Sequence, residues 1–164
     1  MEFAGLGARV RAMLFQILLF IHVVAVIAWV GGAIMHLALM GLARRDDDPG
    51  QQVKLIQLDG RLAPVVYIPG SLTVLITGVA MILTSGISWG EPWISIGLVV
   101  WVAAFLLGIL FYVPQGKKLE EALEAGNPGT PEVEQRIATL ERVAWAEIPV
   151  FLFVIFAMTT KFAF

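Results

Sequence analysis

Three side chains of this sequence carry acid–base or metal-ligating groups inside stretches that are otherwise free of charge: His22, His36 and Glu147. Ionisable groups are costly in hydrocarbon, so each is a candidate for function. His22 and His36 are fourteen positions apart. At 100° per residue this puts them within about 40° of each other on one helix face, about 21 Å apart along the axis. They are too far apart to share one metal ion. Trp29 lies on the same face between them, beside Gly31-Gly32. Imidazole is a good axial ligand of haem iron, and a flat macrocycle needs an apolar slot from which side chains have been removed, as at two adjacent glycines. The expectation is a b-type haem on His22, with His36 either holding a second haem or sitting hydrated near the membrane boundary. The competing expectation for His22 is a neutral imidazole hydrogen-bonded to a neighbouring helix, a packing role.

Paired histidines at this spacing hold two stacked haems in dihaem transmembrane cytochromes b, where a partner helix supplies a second pair. Here that pair would have to come from a second copy, in a homodimer or a larger membrane complex. Otherwise the opposite axial position falls to water or to one of Met35, Met40, Met81 and Met158, which read equally as core filler. Glu147, followed by Pro149, falls about one turn inside the fourth apolar stretch. It is expected level with His36 and within reach of it, directly or through water; alternatively it caps a helix end or reaches the interface.

The elements that must position these residues are membrane helices. Of the 164 residues 59% are hydrophobic, well above the 45–50% of soluble domains, so lipid is the expected solvent. The run Ala12 to Ala43 is free of charged residues and longer than a bilayer core requires, and it reads as a retained anchor rather than a signal peptide. Three further spans are expected at about 64–85, 92–114 and 143–164. The expected fold is an all-α bundle of four transmembrane helices forming a single domain over 1–164. Pro64 and Pro69 place the regular part of the second span after them, at about Pro69 to Leu83, and Pro92 opens the third. Arg44 to Arg61 reads as a polar link with a solvated turn at Asp46-Asp47-Asp48-Pro49-Gly50. Gln115–Ala125 and Pro131–Arg142 read as two short helices around Gly126-Asn127-Pro128-Gly129, a hairpin-like loop between the third and fourth spans.

The two polar loops carry eight lysines and arginines against three on the opposite side, Arg9, Arg11 and Lys161. That asymmetry predicts cytoplasmic loops and extracytoplasmic termini in a bacterial inner membrane. A net charge of −2 gives no basic field for nucleic acid, and the absence of cysteine removes disulfides, thiolate metal sites and cysteine nucleophiles. There is no nucleotide-binding glycine loop and no metal-protease helix.

The order of short motifs is similar to that of a broad group of small bacterial four-helix membrane proteins. The motifs are His22, Trp29 and Gly31-Gly32 in the first span, Gly70-Ser71-Leu72-Thr73 and Ile76-Thr77-Gly78 in the second, Trp93 opening the third, and Glu147-Ile148-Pro149 with Lys161 in the fourth. The group includes the HemJ-type haem-dependent protoporphyrinogen oxidases, the copper-resistance CopD-like domains and relatives of unknown function. The resemblance implies haem at His22. It does not extend to the oxidase's third span, which carries a lysine and a histidine, whereas Ile94–Tyr112 has only a tyrosine; Ala146 stands where an asparagine is expected. Two classes follow: a haem protein handling electrons or porphyrin, with Glu147 tuning a propionate or a proton path, or a transport or accessory subunit using the same polar groups for copper or a small molecule.

Overall fold

The computed structural model describes residues 2–125 and 129–161, and they are helical almost throughout. Four long apolar helical segments, within Arg9–Arg45, Pro49–Ser85, Pro92–Leu123 and Pro131–Thr160, are each able to cross a membrane. The outward faces are apolar: Phe20, Ile27, Ile76, Leu83 and Leu110 are each about two-thirds exposed, as expected of side chains whose solvent is lipid.

Helix α1 (Glu2–Arg45) runs unbroken for 44 residues, about 66 Å, roughly twice what a bilayer core needs. Asp48 then caps α2 (Pro49–Leu62), accepting from the Gly50 N–H at 2.9 Å, with Pro49 in the first turn where its missing N–H costs nothing. The expected solvated link is therefore confined to a few residues, and most of Arg44–Arg61 is helix. It is also partly interior, since Gln52 and Ile56 are buried.

Helix α2 passes into α3 (Ile68–Ser85) through one wide turn, Ala63–Tyr67, in which the Ile68 N–H reaches five residues back to the Ala63 carbonyl. Pro64 and Pro69 were expected to precede the regular helix. A proline ring crowds the carbonyl four residues before it, and widening the turn ahead of Pro69 relieves that crowding without ending the helix. The same device recurs between α4 (Pro92–Leu107) and α5 (Val113–Glu124): the wide turn Gly108–Tyr112 precedes Pro114, and the Val113 N–H bonds the Gly108 carbonyl. Helix α6 (Pro131–Thr160) merges the second loop helix with the fourth span. Of the expected hairpin turn, Gly126, Asn127 and Pro128 lie outside the described residues; Gly129 has the left-handed backbone (φ 73°) that favours glycine.

Two cores result. On the polar-loop side, Met40 and Ala43 of α1 pack with Ile56, Leu119, Val133, Ile137 and Leu140. Gln52 ties the parts together, donating to the Ala43 carbonyl and accepting from Gly129, both at 3.2 Å, and Arg44 pairs with Glu141 at 2.7 Å. Deeper in the bundle, Trp29 and Ala33 of α1 pack with Ala104 and Phe151, flanked by Val74 and Trp101. Helix α1 is the hub, packed most extensively on α3 and then α6, while α4 leans on α6 and meets α3 only marginally.

Candidate functional site

Between the two cores lies a cavity of about 520 Å³, within the 300–1,000 Å³ range of small-molecule sites. Its walls are mainly apolar, but they gather Trp29, His36, Asp59, Tyr67, Tyr112 and Glu147 from all four spanning segments. Each arrives there for a local reason. Trp29 and His36 are seven residues apart, two turns of α1, and share its inward face. Asp59 sits one turn before the wide turn ending at Tyr67, and Tyr112 ends the other wide turn. The two wide turns thus each deliver a phenol to the cavity wall.

His36 Nδ1 lies 2.9 and 3.0 Å from the two Asp59 carboxylate oxygens. An acceptor-only carboxylate fixes the proton on Nδ1, which leaves Nε2 as the free ring nitrogen. The Tyr112 ring meets the His36 ring edge-on, centroids 5.1 Å apart, and the Tyr112 hydroxyl donates a short 2.5 Å hydrogen bond to Glu147 Oε2. His36 and Glu147 both line the cavity, and Tyr112 touches each of them.

Four buried polar atoms of residues that line the cavity make no hydrogen bond of ordinary geometry among the described residues, namely Trp29 Nε1, His36 Nε2, Tyr67 Oη and Glu147 Oε1, and Trp29 and Tyr67 lie close enough to interact with each other. Each such group costs about 1–3 kcal/mol if left unsatisfied, and the four gather on residues of one cavity. Trp29 offers an N–H and Tyr67 an O–H; in the neutral ring His36 Nε2 offers a lone pair, and Glu147 offers an acid–base oxygen. Among the described residues no three histidine, aspartate or glutamate side chains converge as metal ligands.

His22 lies elsewhere. It does not line the cavity, and its Nδ1 is 2.9 Å from Thr77 Oγ1. The Thr77 hydroxyl is itself committed to the Thr73 carbonyl, so the imidazole donates through Nδ1. An alanine-sized Cβ on Gly78 would touch the His22 ring at 3.4 Å, which shows how closely α3 covers it. The flanking glycines separate as well: Gly32 lines the cavity with Val66 and Tyr67 over it, whereas Gly31 faces outward with open space around it. Of the four methionines, Met35 and Met40 line the cavity and Met81 and Met158 do not.

The family description that matches the chain is "Predicted integral membrane protein (DUF2269)", over residues 16–162. The chain belongs to this family. The matched span takes in most of the first membrane segment, the whole of the other three and every cavity residue named above. No curated protein and no solved structure matches the chain significantly.

Asp59, Tyr67 and Tyr112 were absent from the expected site. Asp59 was hidden in the stretch read as a solvated link. The tyrosines were passed over because phenols sit in spans at little cost, although Tyr67 and Tyr112 are the only two in the chain.

Proposed function

We propose that this family member binds a small, largely apolar molecule bearing oxygen or nitrogen hydrogen-bonding groups, seated between the two cores, and serves in its transfer or transformation at the cytoplasmic face of a bacterial inner membrane. The observation that carries this reading is the convergence of the four buried polar atoms on one cavity. Trp29 and Tyr67 donate to acceptor atoms of the ligand; His36 and Glu147 receive its donors. Asp59 holds the His36 ring and its tautomer, and Tyr112 holds the Glu147 carboxyl, so both groups are positioned before the ligand arrives. The test is to purify the protein in mild detergent, extract it with organic solvent and identify co-purifying small molecules by mass spectrometry. A stoichiometric compound lost together from His36→Ala and Tyr67→Phe supports the reading. Its persistence in both variants refutes the assignment of the site.

A second reading makes the ligand a b-type haem. His36 favours it over His22, because Nε2 of His36 is buried, without a partner and at the cavity wall, while Nδ1 is held by a carboxylate, the support typical of metal-bound histidine. His36 would ligate the iron, and Trp29 and Tyr67 would be left to bind peripheral oxygens. When bound, haem supplies one-electron redox chemistry. An absorption spectrum decides it: a Soret band that survives His22→Ala and disappears in His36→Ala supports haem at His36. The opposite pattern returns it to His22, and no Soret band after expression with ample haem ends the haem reading.

A further inference from the structure

The cavity has two ends of different chemistry. At the polar-loop end it is lined by Asp59, Gly60, Gly116, Lys117 and Glu120. Helices α2 and α5 close together there: a Cβ added to Gly60 would stand 3.5 Å from Glu120 Oε1. Away from that end the lining includes Ile68, Phe105 and Ile109, each 40–50% exposed, beside the seam where α3 and α4 meet narrowly and are joined by the bond from Trp101 Nε1 to the Ser71 carbonyl at 2.9 Å. Those exposed side chains lie within spans whose surroundings are lipid, so this end opens to hydrocarbon. Of the four residues with these buried polar atoms, Trp29 and His36 stand on α1 about 10 Å apart by helical rise, Tyr67 ends the wide turn before α3 and Glu147 is on α6.

We propose that the cavity is loaded from within the bilayer through the α3–α4 seam, and that its ligand is a lipid-dissolved amphiphile with an oxygen-bearing head and an apolar tail, of the alkylated quinone type. This rests on the reading of the cavity as a binding site and adds the source and class of its ligand. The head's oxygens accept from Trp29 Nε1 and Tyr67 Oη, and in the reduced, quinol form its hydroxyls also donate to His36 Nε2 and Glu147 Oε1. The tail leaves between Ile68 and Ile109, where leaving for lipid costs no apolar burial. A water-borne ligand would have to pass Lys117 and Glu120 at the narrowed end and could gain nothing from the apolar seam.

The chain contains no cysteine, so one introduced cysteine is a unique handle. Ile109→Cys places it at the seam and Gly116→Cys at the polar-loop end; an added Cβ at Gly116 meets nothing within 4 Å. Each folded variant is reconstituted in phosphatidylcholine vesicles and modified with a bulky maleimide. Uptake of decyl-benzoquinone is followed by quenching of tryptophan fluorescence, since Trp29 and Trp101 line the cavity. The expected result is saturable quenching in the unmodified protein, a rate at least ten-fold slower once the Ile109→Cys variant is modified, and a change under two-fold once the Gly116→Cys variant is modified. A sulfonated, water-soluble benzoquinone should neither quench saturably nor compete. Slowing by the label at the polar-loop end but not at the seam, or saturable quenching by the sulfonated probe alone, overturns access from lipid while leaving the binding site standing. Saturable quenching by neither probe overturns both the ligand class and the binding reading. Because modification follows folding, the comparison of each variant before and after labelling does not depend on how well the substitution itself is tolerated.

Discussion

Replacing Gly70 with alanine probes the contact that holds Trp29 against the cavity. A Cβ at Gly70 would stand 3.1 Å from the Trp29 backbone nitrogen, 3.3 Å from its Cα and 3.4 Å from the Ala25 carbonyl oxygen. These are main-chain atoms of α1 and cannot rotate away, so α1 and α3 must separate by a few tenths of an ångström; overpacking of this kind costs about 1–3 kcal/mol. Gly78, two turns further along α3, is the matched control. There the nearest atom is the His22 Cε1 at 3.4 Å, an ordinary contact with a side chain. Both substitutions exchange glycine for alanine in the same helix, so the gain in helix propensity cancels between them and the packing difference remains. Gly70→Ala should therefore be less stable than Gly78→Ala by about 1–3 kcal/mol in a reversible detergent unfolding titration. Equal stabilities, or a less stable Gly78→Ala, would refute the reasoning and with it the close α1–α3 approach. Since Trp29 moves with its backbone, Gly70→Ala should also weaken ligand binding more than Gly78→Ala does.

Three other outcomes follow from the same contacts. Tyr112→Phe leaves both oxygens of Glu147 without a partner and should cost about 1–3 kcal/mol, read as a lower melting temperature in detergent; an unchanged melting point argues against the Tyr112–Glu147 bond. A double-mutant cycle of His22→Ala and Thr77→Val should give a coupling of about 0.6 kcal/mol and no more than about 1.7, the range of hydrogen bonds between membrane helices, and a null coupling would remove the packing role of His22. Reporter fusions at the C-terminus should be active only with an extracytoplasmic reporter, given eight basic residues in the loops against three opposite; a strong cytoplasmic signal would reverse the orientation.

The membrane helices could be read from the sequence because hydrocarbon imposes one requirement, a long uncharged run, and the chain meets it four times. The start of a helix at Pro92 follows from proline's place in a first helical turn, while the charged stretch Pro131–Arg142, read as a short loop helix, continues into the fourth span without a break. Two kinds of feature were not legible. Proline was weighed as a helix boundary, whereas a wide turn absorbed Pro69 and Pro114, because surrounding helices and lipid leave a backbone no water to turn to and make continuation cheaper than stopping. Asp59 looked solvated because neighbouring residues in the sequence are polar; its position opposite His36 depends on helix α2 folding back along α1, a tertiary fact. For the candidate site, Trp29, Gly32, His36 and Glu147 were in view from their types and their place in apolar runs. His22 shares a helix face with Trp29 and His36, which does not say how far along that face a cavity extends, and Gly31 is read with its neighbour Gly32 although adjacent residues of a helix point in different directions.

The wide turns also reset the phase of the helices in which they stand. Each residue of an α-helix advances the side-chain direction by 100°, and a turn closed five residues back instead of four accommodates one residue more than the regular winding. The inward stripe of α2 and that of α3 therefore belong to one continuous rod but to two different registers, as do those of α4 and α5. A single 3.6-residue pattern drawn from Pro49 to Ser85 loses its place near Val65, and the same holds near Leu110. Deleting one residue at either point would restore an uninterrupted α-helix and leave the faces on both sides of it in their present relation. Deleting one residue from a regular stretch would instead turn everything beyond it by about 100°, and the faces offered to the cavity and to lipid would no longer belong together.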